Sequence, residues 1–78
     1  HEHDPVDKFA KIDLQENMQR WLDCLSPKHR EVVIRRYGLQ GHEVTTLDQT
    51  GSEIGLTRER VRQLQSEALK QLKKLKLQ

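Results

Sequence analysis

The stretch of sequence that decides the fold is residues 46–66, TLDQTGSEIGLTRERVRQLQS. Its spacing of glycines and apolar residues is typical of two short helices that pack across a tight turn, a helix-turn-helix. Gly51 lies where the two backbones approach closely, and Gly55 lies in the turn, where glycine readily adopts a positive φ. Two ordinary helices around a glycine turn are the alternative. The residues that agree with the motif are Gly51, Ile54, Gly55, Leu56, Val61 and Leu64.

Four helices are predicted from their end signals. Asp4-Pro5 begins the first, and apolar residues that recur every three or four positions carry it to about residue 25. Ser26-Pro27 begins the second, which Gly38 ends as a left-handed residue. After a loop over residues 39–45, threonines at 46 and 57 cap helices over about 47–54 and from 57 to about 75.

No strand pattern accompanies these helices, so the fold class is predicted to be all-α. We expect a flexible N-terminus at residues 1–4 and a four-helix domain at residues 5–78 that ends in a C-terminal helix-turn-helix.

Composition excludes several classes of protein. Cys24 is the only cysteine among 78 residues, which excludes an internal disulfide framework and a cysteine-based zinc site and fits a cytoplasmic setting. We expect Cys24 to be a small buried residue. The four histidines share no metal-ligand spacing, and neither a phosphate-binding loop nor a catalytic constellation is present. No apolar run approaches the length of a membrane span. We therefore expect no enzyme activity, no metal and no cofactor.

Charge is distributed unevenly along the chain. Residues 1–25 carry six acids and three bases, a net charge of −3. Residues 57–78 carry seven bases and two acids, a net charge of +5, although the whole chain has only +2. The basic end is expected to attract a polyanion and the acidic end to be repelled by one. A solvated charged helix is the alternative for the basic end.

The last predicted helix has two different faces. A rotation of about 100° per residue gathers Val61, Leu64 and Ala68 on one stripe with Leu72 and Leu75. The opposite face carries polar and charged side chains near the start of the helix, the geometry required for insertion into a DNA major groove. These side chains are Arg58, Glu59, Arg62, Gln63 and Ser66.

Their chemistry matches the edges of bases. Arg58 is able to donate two hydrogen bonds to guanine, Glu59 to accept from cytosine, and Gln63 to pair with adenine. Arg60, Arg62 and Thr57 are better suited to phosphates. In the alternative for Glu59, its carboxylate pairs with Arg62 or Gln63 and touches no base.

The same residues resemble a known family. Thr46-Leu47, Gly51, the run from Glu53 to Gln63, and Ala68-Leu69 are similar to region 4 of bacterial sigma factors. Upstream, Leu25-Ser26-Pro27, Arg30-Glu31-Val32-Val33 and Arg35-Arg36-Tyr37-Gly38-Leu39 resemble the first part of that region, so the resemblance covers about residues 17–76. Residues 38–43 and 63–67 look most like the stationary-phase (general stress) subgroup, sigma-S, with the housekeeping subgroup as the runner-up. Glu67 departs from the housekeeping pattern, which usually has a basic residue on this activator-contacting surface.

The resemblance implies a function in transcription initiation, namely recognition of the promoter −35 element in double-stranded DNA. It implies that Arg58, Glu59 and Gln63 read bases. It also implies that the DNA backbone is held by Thr57, Arg60, Arg62, Arg36 and Leu47. Residues 46–76 would then be the DNA-binding part, and the whole chain a C-terminal fragment of a longer sigma factor.

The resemblance further implies that residues 5–38 face RNA polymerase and grip the flap of its β subunit through an apolar groove. An anti-sigma factor or an activator is a further possible partner. Each candidate for the groove is more often simply a core residue. The candidates are Trp21, Leu22, Leu25, Val33 and Ile34.

Two alternatives belong to other functional classes. The chain could be the helix-turn-helix domain of an autonomous transcription regulator, although such regulators usually have a shorter connection than residues 39–46 and a different recognition face. It could also be mainly a protein-interaction module, with the first two helices as the working surface.

Overall fold

A computed structural model describes residues 20–76, and within that range every regular element is a helix. The described helices are the end of α1 (residues 20–22), α2 (Pro27–Tyr37), α3 (Leu47–Ile54) and α4 (Arg58–Lys76). The predicted all-α fold and the bounds of the last three helices are confirmed. The expected flexible terminus and the predicted start of the first helix lie outside the described residues. That helix ends at residue 22, a few residues earlier than predicted.

The predicted caps fix these helix ends. The side chain of Ser26 accepts a hydrogen bond from the backbone N–H of His29 at 3.4 Å, and Gly38 ends α2 in the left-handed conformation. Thr46 forms a capping box, in which its side chain accepts from the Gln49 N–H at 3.0 Å while the Gln49 side chain accepts from the Thr46 N–H at 2.9 Å. Both orphan donors at the start of α3 are thereby satisfied.

The turn of the helix-turn-helix depends on two glycines. Gly55 ends α3 at φ 75°. This left-handed conformation is unfavourable for any residue that has a Cβ atom, whereas glycine adopts it readily. Gly51 lies against the backbone of Leu56, where an added Cβ would clash with the carbonyl oxygen. The close approach predicted at Gly51 is therefore confirmed, and it sets how tightly α3 packs against the start of α4.

Two apolar clusters form the core, and α4 contributes to both. The cluster under the helix-turn-helix consists of Val32, Leu47, Val61 and Leu64, with Ile54 and Leu56 packed at its edge. The larger cluster joins the end of α1, α2 and the middle of α4. Its members are Leu22, Leu25, Val33, Ile34, Tyr37, Leu39, Ala68 and Leu72. The predicted apolar stripe of the last helix, here called the buried seam, thus packs against all the other helices and holds the domain together.

Polar contacts also join α2 to the end of α1 and to α3. Arg30 donates from Nε to the carbonyl oxygen of Leu22 at 3.1 Å and from Nη2 to that of Leu25 at 3.2 Å, which caps the end of α1. Arg35 joins α2 to α3 by donating to Glu53 at 2.9 Å.

The connection between α2 and α3 is closed at its base. The N–H and the hydroxyl of Thr45 both donate to the carbonyl oxygen of Arg35, at 3.0 and 3.1 Å. Leu39 is anchored in the core, whereas residues 40–44 are exposed. The chain therefore returns beside the end of α2 after an exposed excursion.

The position of Cys24 contradicts the prediction that this residue is buried. It is exposed, and its Sγ lies 3.5 Å from the carbonyl oxygen of Arg20. Because α1 ends at residue 22, the helical spacing that placed Cys24 beside Leu22 and Leu25 no longer applies there. None of the helices within residues 20–76 has the length and apolarity needed to cross a bilayer.

Candidate nucleic-acid interface

The first turns of α4 present the predicted base-reading side chains together. Arg58, Glu59 and Gln63, here called the recognition face, are all exposed. On the opposite side of the same helix, Val61 and Leu64 have no exposed surface. The buried seam holds this end of α4 against α3, so the recognition face is fixed in orientation and open to a ligand.

Glu59 is paired with Arg62 one turn further along α4. Arg62 donates from Nε to Oε1 at 2.9 Å and from Nη2 to Oε2 at 2.7 Å, so both carboxylate oxygens are engaged. The hydrogen bonds from Arg62 are the main reason that the pKa of Glu59 lies below its usual value. The pairing considered as an alternative for Glu59 is therefore present in the protein without DNA.

Arg60 and Thr57 lie at the same end of α4. The Arg60 Nη1 donates to the Oε1 of Gln63 at 3.3 Å, a longer and single contact. The Thr57 hydroxyl accepts from the backbone N–H of Arg60 at 3.1 Å, which caps the helix as predicted. The first turn of α4 thus presents exposed guanidinium groups next to the positive end of the helix dipole.

Leu47 lies at the first position of α3, but its side chain does not face solvent. It is 4% exposed and belongs to the cluster under the helix-turn-helix. The first amides of a helix have no partner within the helix, so the backbone N–H is the group of Leu47 that suits a phosphate. Any contact of Leu47 with a phosphate is therefore limited to the main chain.

Arg36, which the family resemblance placed at the DNA backbone, is buried in the protein. It is only 1% exposed, and its Nε donates to the Oε1 of Gln65 at 2.7 Å while Nη1 donates to the carbonyl oxygen of Thr45. A guanidinium held in this way points into the protein, so in this conformation it does not extend to a DNA backbone. Arg36 instead links α2 to α4 and to the loop that precedes α3.

The other members of this buried polar network were not predicted from the sequence. Gln65 is 2% exposed and Thr50 is fully buried. The Thr50 hydroxyl lies 2.7 Å from the Thr45 hydroxyl and 2.8 Å from the carbonyl oxygen of Thr46, and its single proton is donated to one of these two acceptors at a time. The sequence did contain a signal for the burial of Gln65, because this residue directly follows Leu64 and lies beside the apolar stripe of α4.

The candidates for the polymerase-facing groove lie mainly in the core. Four of them have at most 4% of their surface exposed and pack against one another inside the larger core cluster. Only Trp21 is partly exposed, at the edge of that cluster. An apolar residue that recurs with helical spacing gives the same signal in a core as in a docking groove. The four core residues are Leu22, Leu25, Val33 and Ile34.

His29 and Glu67 connect the start of α2 with the middle of α4. The His29 Nε2 lies 2.7 Å from the Glu67 Oε1, and the other ring nitrogen contacts the hydroxyl of Ser26. The hydrogen bond with His29 is the main cause of a lowered pKa at Glu67. In the described part of the chain, no three histidine, cysteine or acidic side chains gather where they could hold a metal ion.

Comparison with known proteins identifies the family. The sequence profile of Sigma-70, region 4 matches residues 21–74. The RNA polymerase sigma factor RpoS of Coxiella burnetii is 51% identical over 90% of this chain and 20% of its own length. The RNA polymerase sigma factor SigA of Nostoc sp. is 41% identical over 88% of this chain and 18% of its own length.

A third relative, the sigma factor SigA of Microcystis aeruginosa, is also 41% identical, over 88% of this chain and 17% of its own length. The order of these identities agrees with the predicted resemblance to the sigma-S subgroup ahead of the housekeeping subgroup. The chain spans about a fifth of the length of these curated relatives. With the recognition face at the start of α4 and the profile match over residues 21–74, the chain belongs to the sigma-70 region 4 family.

Proposed function

We propose that this chain recognises the −35 element of bacterial promoters as part of a sigma factor bound to RNA polymerase. The observation that carries the proposal is the exposed recognition face on a helix whose opposite side is buried. Such a helix is able to enter a major groove while the rest of the domain holds it from behind. The proposed setting is the bacterial cytoplasm, and the proposed role is binding without catalysis.

Within this proposal the side chains divide into two groups. Arg58, Glu59 and Gln63 contact base edges, where a donor fork, a carboxylate and an amide discriminate between base pairs. Thr57, Arg60 and Arg62 contact phosphates, helped by the positive end of the α4 dipole. The backbone N–H of Leu47 is a further phosphate donor at the start of α3. Arg36 is left out of this set because its guanidinium is buried.

The test is binding at low salt to a duplex that contains the −35 hexamer and to a scrambled duplex. Arg58→Ala should reduce the preference between the two by about 1–3 kcal/mol, because a base contact is lost. Arg60→Ala is the matched variant, and it should weaken both duplexes alike because phosphates carry no sequence information. Equal affinity of the unsubstituted domain for both duplexes would contradict the proposal. At physiological salt we expect weak binding, since one module makes few phosphate contacts.

The second proposed partner is RNA polymerase itself, with residues 5–38 as the polymerase-facing part and the β-subunit flap as the element contacted. Trp21 is the candidate whose side chain is partly exposed, at the edge of the larger cluster. We expect an immobilised flap to retain the unsubstituted domain and to fail to retain the Trp21→Ala variant. Cys24→Ser, a change at a nearby exposed residue, serves as the control that should still be retained. Anti-sigma factors and activators remain further candidate partners for the same domain.

A further inference from the structure

The Glu59–Arg62 pair has the geometry of a positioning device. Its two donor–acceptor distances, 2.9 Å and 2.7 Å, join parallel edges of a planar guanidinium and a planar carboxylate. A two-point contact of this kind fixes the direction and the plane of the carboxylate, whereas a single contact fixes neither. Arg62 therefore determines where the Glu59 carboxylate points from one turn further along α4.

Stability does not account for this pair. The side chains of Arg62 and Glu59 are 45% and 62% exposed, and exposed ion pairs contribute little to folding. The pair lies instead on the surface that is proposed to meet DNA. There an unpaired carboxylate is repelled by phosphates, so a neighbouring guanidinium that offsets its charge removes an obstacle to entering the groove.

Pairing with Arg62 leaves Glu59 able to accept from a base. The two oxygens of a carboxylate provide about four lone-pair sites, and the Arg62 fork occupies two of them. Cytosine offers the N4 amino group in the major groove as the donor that a carboxylate recognises. The Glu59–Arg62 pair and base recognition are therefore compatible.

We infer that Arg62 is a positioning residue for base recognition, which holds the Glu59 carboxylate in the orientation that accepts from a cytosine amino group. This inference rests on the proposed function, because it assumes that Glu59 reads a base pair. Arg62 would then contribute to sequence specificity in addition to making the proposed phosphate contact. Arg60 makes only one contact of 3.3 Å with Gln63, so no equivalent positioning is expected at that pair.

The experiment measures affinity for duplexes that carry every single-base-pair change in the −35 hexamer. Glu59→Ala first identifies the base pair at which preference is lost, by about tenfold if one good contact disappears. Arg62→Lys keeps the positive charge and removes the fork. It should lose preference at that same base pair, by a comparable factor, and keep the unsubstituted domain's preference at the other positions.

The double variant distinguishes cooperation from independent action. If Arg62 acts through Glu59, then Glu59→Ala combined with Arg62→Lys should lose no more preference at that base pair than Glu59→Ala alone. A carboxyl titration followed by NMR gives a reading without DNA: Arg62→Lys should bring the pKa of Glu59 back toward its usual value. Lys74→Gln, which removes an exposed charge near the far end of α4, is the control and should leave base preference unchanged.

Three outcomes would overturn the inference. In the first, Arg62→Lys keeps full preference at the base pair that Glu59 reads. In the second, the losses of preference caused by Arg62→Lys and Glu59→Ala multiply in the double variant. In the third, Arg62→Lys lowers the affinity for all duplexes alike. The last result would make Arg62 a phosphate ligand only. Failure of the proposed function is distinct, since the unsubstituted domain would then bind every duplex equally.

Discussion

Arg36 and Gln65 meet in the interior of the domain, where the Arg36 Nε donates to the Gln65 Oε1 at 2.7 Å. One residue belongs to α2 and the other lies two positions after Gln63 of the recognition face. Arg36 also donates to the carbonyl oxygen of Thr45, just before the cap of α3. The same guanidinium thus sets α3 and α4 relative to α2, behind the surface proposed to bind DNA.

Gln65→Leu should destabilise the domain by about 1–3 kcal/mol, because a buried donor loses its acceptor. Chemical denaturation followed by circular dichroism measures the change. Gln65→Glu is the matched variant, since it keeps an acceptor of the same shape facing Arg36, and it should retain more stability than Gln65→Leu. Equal loss in both variants would show that the hydrogen bond contributes nothing beyond the space that Gln65 fills.

Gly51→Ala should destabilise the domain by about 1–3 kcal/mol, because α3 would have to move away from the Leu56 backbone. The free energy of unfolding is again the measurement. Ser52→Ala changes the neighbouring exposed position in the same helix and should be close to neutral. A neutral Gly51→Ala would contradict the close approach of α3 to the turn.

Thr46→Ala should cost about 1 kcal/mol through loss of the N-cap of α3. Amide hydrogen exchange should locate the effect, with faster exchange at the N–H of Gln49, whose acceptor is removed. Thr46→Asp keeps an acceptor at the cap and should restore slow exchange there. Unchanged exchange in Thr46→Ala would mean that the capping box does not hold this helix end.

The lowered pKa of Glu67 gives stability a defined dependence on pH. A carboxyl whose pKa is lower in the folded state adds stability above its unfolded pKa and loses it as the pH falls through the folded value. The free energy of unfolding should therefore fall more steeply below the usual glutamate range in the unsubstituted protein than in Glu67→Gln. NMR titration of His29→Gln should show the Glu67 pKa rising toward its usual value. An unchanged titration would rule out His29 as the cause.

Cys24 should react with a thiol reagent in the folded protein. Its exposed position predicts modification of one thiol per chain without denaturant. Ellman's reagent measures the rate, and Cys24→Ser is the blank. Reaction that begins only in denaturant would restore the buried position expected from sequence.

The features that the sequence predicted correctly are local. The caps at Ser26, Thr46 and Thr57 and the glycine ends at 38 and 55 act within a few residues, so they gave the bounds of α2, α3 and α4. The two faces of α4 followed from helical spacing in the same way. Local signals of this kind need no knowledge of the tertiary fold.

What the sequence did not predict depends on distant partners. Arg36 and Gln65 are 29 positions apart, and an arginine at the end of a helix looks like a surface charge until its acceptor is known. Leu22 and Val33 were assigned to a groove because spacing does not distinguish an internal apolar contact from one left for another protein. Only the packed structure separates these cases.

The exposed excursion between α2 and α3 has an evolutionary consequence. Thr45 is hydrogen-bonded to Arg35 at the base of segment 40–44, and at its tip a Cβ added to Gly41 would meet no atom beyond its chain neighbours within 4 Å. Residues could be gained or lost at its tip without shifting the register of α3 or α4. We therefore expect related sequences to differ in length within segment 40–44. We also expect this segment to accept an inserted reporter peptide without a change at the DNA-facing end of α4.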